Sequence, residues 1–189
     1  ERINEDLRCR TWLDKKSDQL RQIMHDPRGQ LIKATKQGDS DFTLIGWAVI
    51  QPEINSEANG LLFRTWHPRD FAFCENSNLV INVGHRNWEV EARDYVKLFP
   101  TTASEKVRRI VDKEPYKLVK CRHVVLPADE YDLTYSDKKK VNRDRFPFVS
   151  LYVDAENDQI LEELPRKRFG YIVPRWVTLP GSQYPHSLA

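Results

Sequence analysis

The chain has 189 residues, of which 40% are hydrophobic and 31% charged, and it carries five Trp, seven Tyr and eight Phe. This aromatic content excludes a disordered tail, and a total of seven Gly excludes a collagen-like or fibrous chain. Thirty basic against twenty-eight acidic side chains leave a formal charge of +2, short of the segregated excess with which proteins grip duplex DNA over a broad face.

No stretch approaches the roughly eighteen apolar residues of a membrane span. No leader pattern opens the chain either, so a soluble globular protein without membrane association is expected. Cys9, Cys74 and Cys121 are an odd and scattered set, which suits a reducing interior better than a disulfide framework. The abrupt start at Glu1 suggests a piece of a longer chain.

Leu13, Leu20, Ile23 and Met24, with Cys9 and Trp12 beside them, recur near the 3.6-residue period and predict a first helix that Pro27 stops. A second helix is expected from about Gln30 to Trp47, where Gly38 and Gly46 cost helix stability unless a neighbour packs tightly against them. Ala48-Val49-Ile50 reads as a strand entry closed by Gln51-Pro52. Beyond Asn55 the period becomes that of strands: Leu61–Trp66, Phe71–Cys74 and Leu79–Arg86, joined by turns at Asn59-Gly60, His67–Asp70 and Asn76–Asn78. Two short helices follow, one over Glu89–Phe99 and one capped by Thr102 or Ser104 and stopped by Pro115. Tyr116–Leu126 alternates as a strand. Asp129–Arg145 is a polar loop, Pro147–Val153 and Gln159–Leu164 form a hairpin turned by Asp154–Asp158, and Gly170–Val177 is a final strand. The fold class is α+β: a helical part over 1–50 and a mainly β part over 55–189, an antiparallel barrel or meander with two short helices inserted near 89–114, in a single unit.

Reactive constellations are sparse. His67, Cys74, His85, Cys121 and His123 are the soft candidate ligands, but a zinc site presents two close pairs and only Cys121 and His123 are near in sequence. Asp154, Glu156 and Asp158 alternate as in a calcium loop, yet Gln159 stands where that loop needs Gly and Pro165 where it needs Glu. There is no nucleophile elbow, no phosphate-cradling Gly-rich loop and no His-Glu-x-x-His pair. Asp129, Glu130 and Asp132 lie in the polar loop as solvated charge. Neither catalysis, nor a metal, nor a cofactor is expected. Two basic loops, Lys138, Lys139, Lys140, Arg143 and Arg145 in one and Arg166, Lys167 and Arg168 in the other, are candidates for contact with nucleic-acid phosphates or with a neighbouring subunit.

The last segment is the most specific. Phe169 to Ala189 contains Pro174, Arg175 and Trp176, then Gly181, Tyr184 and Ser187, and it resembles the head-to-tail connecting (portal) proteins of short-tailed bacteriophages. In that family a strand ending in Pro-x-x-Arg-Trp precedes a Gly-x-x-Tyr-Gly turn and a Ser-Pro-Ala-like helix start; here Pro185 and Leu188 replace the usual Gly and Pro. Thr11–Asp14, His25–Arg28, Gly46–Ile50, His67–Asp70 and the hairpin around Asp154–Asp158 with Glu162-Glu163 are similar to the family in order.

The resemblance implies a structural virion protein without enzymatic activity: the wing part of a subunit that, with copies of itself, builds a commonly twelvefold ring at one capsid vertex. Such rings bind the capsid, the packaging motor and the tail, and pass double-stranded DNA through a tunnel after assembly in the host cytoplasm. A closed ring needs two different faces on each subunit. Exposed aromatic and Arg side chains suit them, and Trp66, Arg69, Trp88, Arg175 and Trp176 are the candidates, with Trp12 expected in the core. The alternative is a small β-barrel module that binds nucleic acid through the loops at 138–145 and 166–168.

Overall fold

A computed structural model describes residues 6–55, 57–131 and 145–187. The chain divides into two compact units, one made of Glu1–His67 with Tyr171–Ala189 and the other of Pro68–Gly170. Helices and antiparallel sheets are mixed as expected of an α+β chain, and the main sheet is an open meander, which corrects the barrel alternative.

In the first unit, α1 (Leu7–Met24) starts where the Asp6 carboxylate accepts from the Arg8 amide at 2.8 Å, an N-cap that satisfies one of the free donors of the first turn. Pro27 ends the helical path and enters a 3-10 turn, Pro27–Gly29, capped in turn by Asp26. Arg28 chelates that Asp26 carboxylate and holds it down at about 2. None of the eighteen residues of α1 is buried, so Trp12, expected in the core, is instead 59% exposed. Its hydrophobic repeat is real, but nothing in the unit covers it.

Helix α2 (Leu31–Ile45) buries Ala34 and Gly38. A Cβ on Gly38 would stand 3.2 Å from Ile50 Cδ1 and 3.7 Å from Ala48 Cβ, so the missing side chain lets the helix lie against β1 (Val49–Ile54), the compensation its helix cost requires. β1 pairs antiparallel with β2 (Leu61–Trp66), and the Thr65 hydroxyl ties β2 to α2 by donating to the Ala34 carbonyl at 2.5 Å. β1 does not stop at Gln51-Pro52. It continues through Pro52, whose nitrogen points, like that of Ile50, toward the strand edge that residues 171–176 have left behind, so no ladder donor is lost there.

The second unit is a five-stranded meander in the order β3 (Phe71–Glu75), β4 (Ile81–Glu91), β5 (Leu118–Pro127), β6 (Phe148–Asp154), β7 (Gln159–Arg166). Between β4 and β5 come α3 (Ala92–Leu98) and α4 (Glu105–Lys113). α3 is shorter than its predicted span, because Trp88 to Glu91 pair with Cys121 to Leu118 and stay extended. α4 begins at a Ser104 cap that accepts from the Val107 amide at 3.4 Å. Along β5 burial alternates: Val119, Cys121, His123 and Val125 turn inward, while Lys120 and Arg122 face out. Val119 and Cys121 join Ala92, Tyr95, Phe99, Ala103, Val107 and Leu161 in the main core cluster, with Trp88 and Tyr152 packed against it.

The β6–β7 hairpin closes on Asp154, which has no exposed surface. Its carboxylate accepts from the Tyr95 hydroxyl at 2.7 Å, the Glu156 and Asn157 amides at 2.9 and 3.0 Å and the Asn157 side chain at 2.8 Å. Both oxygens are therefore occupied by protein donors, and the alternating acids form a turn. Burial alone would raise this carboxyl; the hydrogen bonds from Asn157, Tyr95 and Glu156 outweigh it and hold the group below the usual carboxylate range.

Candidate interaction surface

The segment carrying Pro174, Arg175 and Trp176 folds back on the first unit as a third strand beside β1. Ile50 and Ile172 exchange both amide–carbonyl bonds at 2.9 and 2.8 Å, the Ala48 amide donates to Pro174 O at 3.2 Å, and the Trp176 amide donates to Gly46 O at 2.8 Å. Of the strand expected over Gly170–Val177, only residues 172–176 run beside β1, and not as a regular ladder. Pro174 has no N–H to return to Ala48, and the regular pairing reduces to isolated bridges at Trp47–Arg175 and Ile50–Ile172. A two-residue ladder follows, Val177–Thr178 against Pro185–His186.

Gly46 is the corner on which this segment turns. It ends α2 in the left-handed region at φ +91°, its amide closing on Phe42 O at 3.0 Å, a glycine C-cap. A Cβ there would stand 2.6 Å from His186 O, so the tail backbone lies directly against the bare glycine. The motif side chains complete the closure. Arg175 Nη1 donates to Gln183 O at 3.0 Å, pinning the loop that contains Gly181, itself at φ +83°. The Ser182 hydroxyl donates to Tyr184 O at 2.9 Å, Tyr184 meets the buried Trp47 edge-on at 5.8 Å, and Trp176 meets Phe42 of α2 edge-on at 5.5 Å. Ser187 lies next to the His186 carbonyl that abuts Gly46.

What remains outward is mixed, with Thr178, Ser182 and His186 exposed among apolar side chains. Trp176 is 50% exposed, Ile172 52% and Leu179 51%, all on this returning segment, with the exposed carboxylate of Asp39 one helical turn before Phe42 on α2. Of the five interface candidates, Trp176 fits such a patch. Arg175 is engaged within the fold, and Trp66 is half-buried, donating from Nε1 to Gln51 Oε1 at 2.8 Å. In the second unit Arg69 and Trp88 line one depression of about 540 Å³ together with Asp70, Glu89, Lys120 and Arg122, whose charges are mixed. Trp88 there also packs on the core cluster, beneath the Arg86 guanidinium at 5.3 Å.

The basic candidates divide. Lys138, Lys139, Lys140 and Arg143 lie outside the described residues, as does Asp132. Arg145, Arg166, Lys167 and Arg168 are exposed, and the pairing of Phe148 with Arg166 brings Arg145 to the same end of the meander as residues 166–168. Cys121 and His123 share the inward face of β5 but are sealed rather than poised. Burial, then the Asp154 charge, pushes the Cys121 thiol up to about 12; burial, then Arg86 and Arg166, holds the His123 imidazole down at about 2. Neutral His123 shares a 2.8 Å hydrogen bond with Ser150 Oγ and stacks on Tyr152 at 4.2 Å. Among the described residues no three His, Cys, Asp or Glu side chains gather as a metal site, and no helix is long and apolar enough to cross a membrane.

The contacts of Gly46 and Trp47 with residues 175–186 have no counterpart in local spacing, since periodicity reports neighbours in sequence and these partners are far apart. Arg175, Trp176 and Tyr184 of the motif each contact this corner, against Gln183, Phe42 and Trp47. A search of curated proteins finds no match. The model of the family described as bacteriophage head to tail connecting protein matches residues 1–189, the whole chain, and the chain belongs to that family of phage structural connectors.

Proposed function

We propose that the chain is the wing part of a portal subunit, which with copies of itself forms a ring at one capsid vertex, docks the packaging motor and then the tail, and gives the genome a passage in both directions. The family match over the whole chain carries this reading. It is supported by the corner at Gly46, where the motif residues build a firm platform with apolar side chains turned outward, as a subunit contact requires. The part played is mechanical, in keeping with a family of connecting proteins. Light scattering coupled to size exclusion, with negative-stain imaging of the same fractions, tests it. Closed rings of about twelve copies are expected as concentration rises. A full-length subunit that stays alone at every concentration and salt refutes it.

The convergence of Arg145 with Arg166, Lys167 and Arg168 favours a second element of the same reading, contact with the phosphates of double-stranded DNA. Duplex binding should weaken with salt, and reversing Arg166 and Arg168 to Glu should lower the slope of log affinity on log salt by about 2. Binding that is absent at low salt, or whose slope the reversal leaves unchanged, removes this element.

A further inference from the structure

Asn59-Gly60 is the one Asn-Gly step in the chain. It stands at the tip of the β1–β2 hairpin, with Asn59 exposed. Glycine after asparagine leaves the following backbone nitrogen unshielded, which makes this the dipeptide most prone to close on itself. In that closure the Gly60 nitrogen gives its proton to solvent base and bonds to Asn59 Cγ. The Cγ–Nδ2 bond breaks, and Nδ2 takes up a proton and leaves as ammonia. Water then opens the five-membered imide at either carbonyl, giving an aspartyl residue or an isoaspartyl linkage in which the backbone runs through Cβ. Nothing is oxidised or reduced, and water is the only co-reactant.

Each reacting group is held by a neighbour. The Gly60 amide donates to Asn55 Oδ1 at 3.3 Å, and the Asn59 amide donates to the same oxygen at 3.0 Å. Asn55 Nδ2 donates to Asn59 Oδ1 at 2.7 Å, and Asn59 Nδ2 donates to Glu57 Oε2 at 2.8 Å. At the base of the loop the Asn55 amide donates to Gly60 O at 2.9 Å. We infer that Asn59 is a self-modification site kept intact by the fold, Asn55 and Glu57 holding its carboxamide away from the Gly60 nitrogen. Closure requires the carboxamide to turn onto that nitrogen, and turning breaks both of its bonds. The bond to Asn55 Oδ1 also keeps the Gly60 proton in place, and only the deprotonated nitrogen attacks. One contact pulls the other way, since the bond from Asn55 Nδ2 polarises the Asn59 carbonyl toward attack. It lapses as soon as the carboxamide turns, so the restraint wins. Conversion replaces the Nδ2 donor by a carboxylate oxygen facing Glu57 Oε2, so the product cannot remake the bond. The isoaspartyl form also adds a backbone atom beside Leu61, whose carbonyl packs so closely on the buried Gly29 that a Cβ there would stand 3.0 Å from it.

Peptide mass spectrometry of the full chain, incubated at mildly alkaline pH, tests this by following ammonia loss and the aspartyl and isoaspartyl products at Asn59. Conversion in the folded chain should run at least about tenfold slower than in the guanidinium-unfolded chain, because two or more hydrogen bonds must break before the ring can close. Asn55→Ala should bring the folded rate close to the unfolded one. Glu57→Ala, at an exposed position, leaves the bonds to Asn55 in place and should accelerate conversion about threefold. Hydrogen exchange across Leu61–Trp66 checks that each variant keeps the ladder with β1. Gly60→Ala has room for its Cβ, whose nearest neighbour would be Asn55 Nδ2 at 3.4 Å, and should suppress conversion in the folded and unfolded chains alike. Equal rates in the folded and unfolded wild type overturn the inference, as do Asn55→Ala and Glu57→Ala chains that keep the ladder and convert as slowly as the wild type. Conversion that Gly60→Ala leaves unchanged places the chemistry at another residue and overturns it too.

Discussion

Replacing Gly46 by Ala probes how the carboxyl-terminal segment is held. Two costs arise, and a second glycine separates them. Gly46 at φ +91° and Gly181 at φ +83° both sit in the left-handed region, where any side chain costs about 1–2 kcal/mol. At Gly181 a Cβ meets nothing within 4 Å, so Gly181→Ala should lose that amount alone. At Gly46 the new Cβ would also lie 2.6 Å from His186 O, inside any tolerable contact, and the cheapest relief is for the tail to lift away. Lifting breaks the charged Arg175–Gln183 bond, worth about 1.5–3 kcal/mol, and the Trp47–Tyr184 contact, about 0.5–1.5 kcal/mol beyond burial. Gly46→Ala should therefore exceed Gly181→Ala by about 2–4 kcal/mol, which at this chain length is about 4–16 °C in Tm. Hydrogen exchange of residues 177–187 should accelerate in the Gly46 variant, and Trp47, now 6% exposed, should red-shift its emission. Equal Tm losses in the two variants, with unchanged exchange in the tail, would refute the packing of that backbone on Gly46.

Asp154→Ala leaves the buried Tyr95 hydroxyl without its acceptor and should cost about 3–5 kcal/mol in urea unfolding, while Asp154→Asn, which still accepts from the turn amides, should cost less than half of that. Because the folded Asp154 carboxyl titrates below its ordinary value, its stabilisation is complete above about pH 4 and fades as pH falls through the lowered value; unfolding curves of Asp154→Asn should lose that part of the acid dependence. Thiol labelling at pH 8 should modify the exposed Cys9 and Cys74 within minutes and Cys121, with its thiol pushed up to about 12, only on unfolding. Gly84→Ala should destabilise the second unit by about 1–3 kcal/mol in the same urea titrations, since its Cβ would stand 2.8 Å from the Phe169 ring and 3.0 Å from that of Phe71.

The meander was readable because each of its strands pairs with the next in sequence, so local alternation and turn residues carry nearly all of its topology. The hairpin at Asp154 and the Ser104 cap are examples of chemistry written within a few residues. Failures fall where a distant partner overrides local preference. Glu89 to Glu91 falls within the helix expected from local pattern, but pairing with β5 keeps it extended. Trp12 has the period of a core residue, and periodicity cannot say whether anything lies opposite. The candidate surface was half legible: Pro174, Arg175, Trp176, Gly181 and Tyr184 stand out as a motif, yet their seat on Gly46 and Trp47 is invisible without the fold. Residue type alone also placed Trp66 and Trp88 among outward-facing candidates, when Trp66 is tied to Gln51 and Trp88 to the core.

The first unit is discontinuous, and this imposes an order on its making. Residues 68–170 need only sequential hairpins, a low-contact-order task that can proceed as the chain emerges. The rungs between Ile50 and Ile172 join segments about 120 residues apart, which at 5–20 residues per second reach the ribosome exit many seconds apart. Until then the outer edge of β1 and the indole of Trp47 await their cover. The apolar side chains around Trp176 therefore take their place on β1 and α2 only after residues 68–170 have been synthesised.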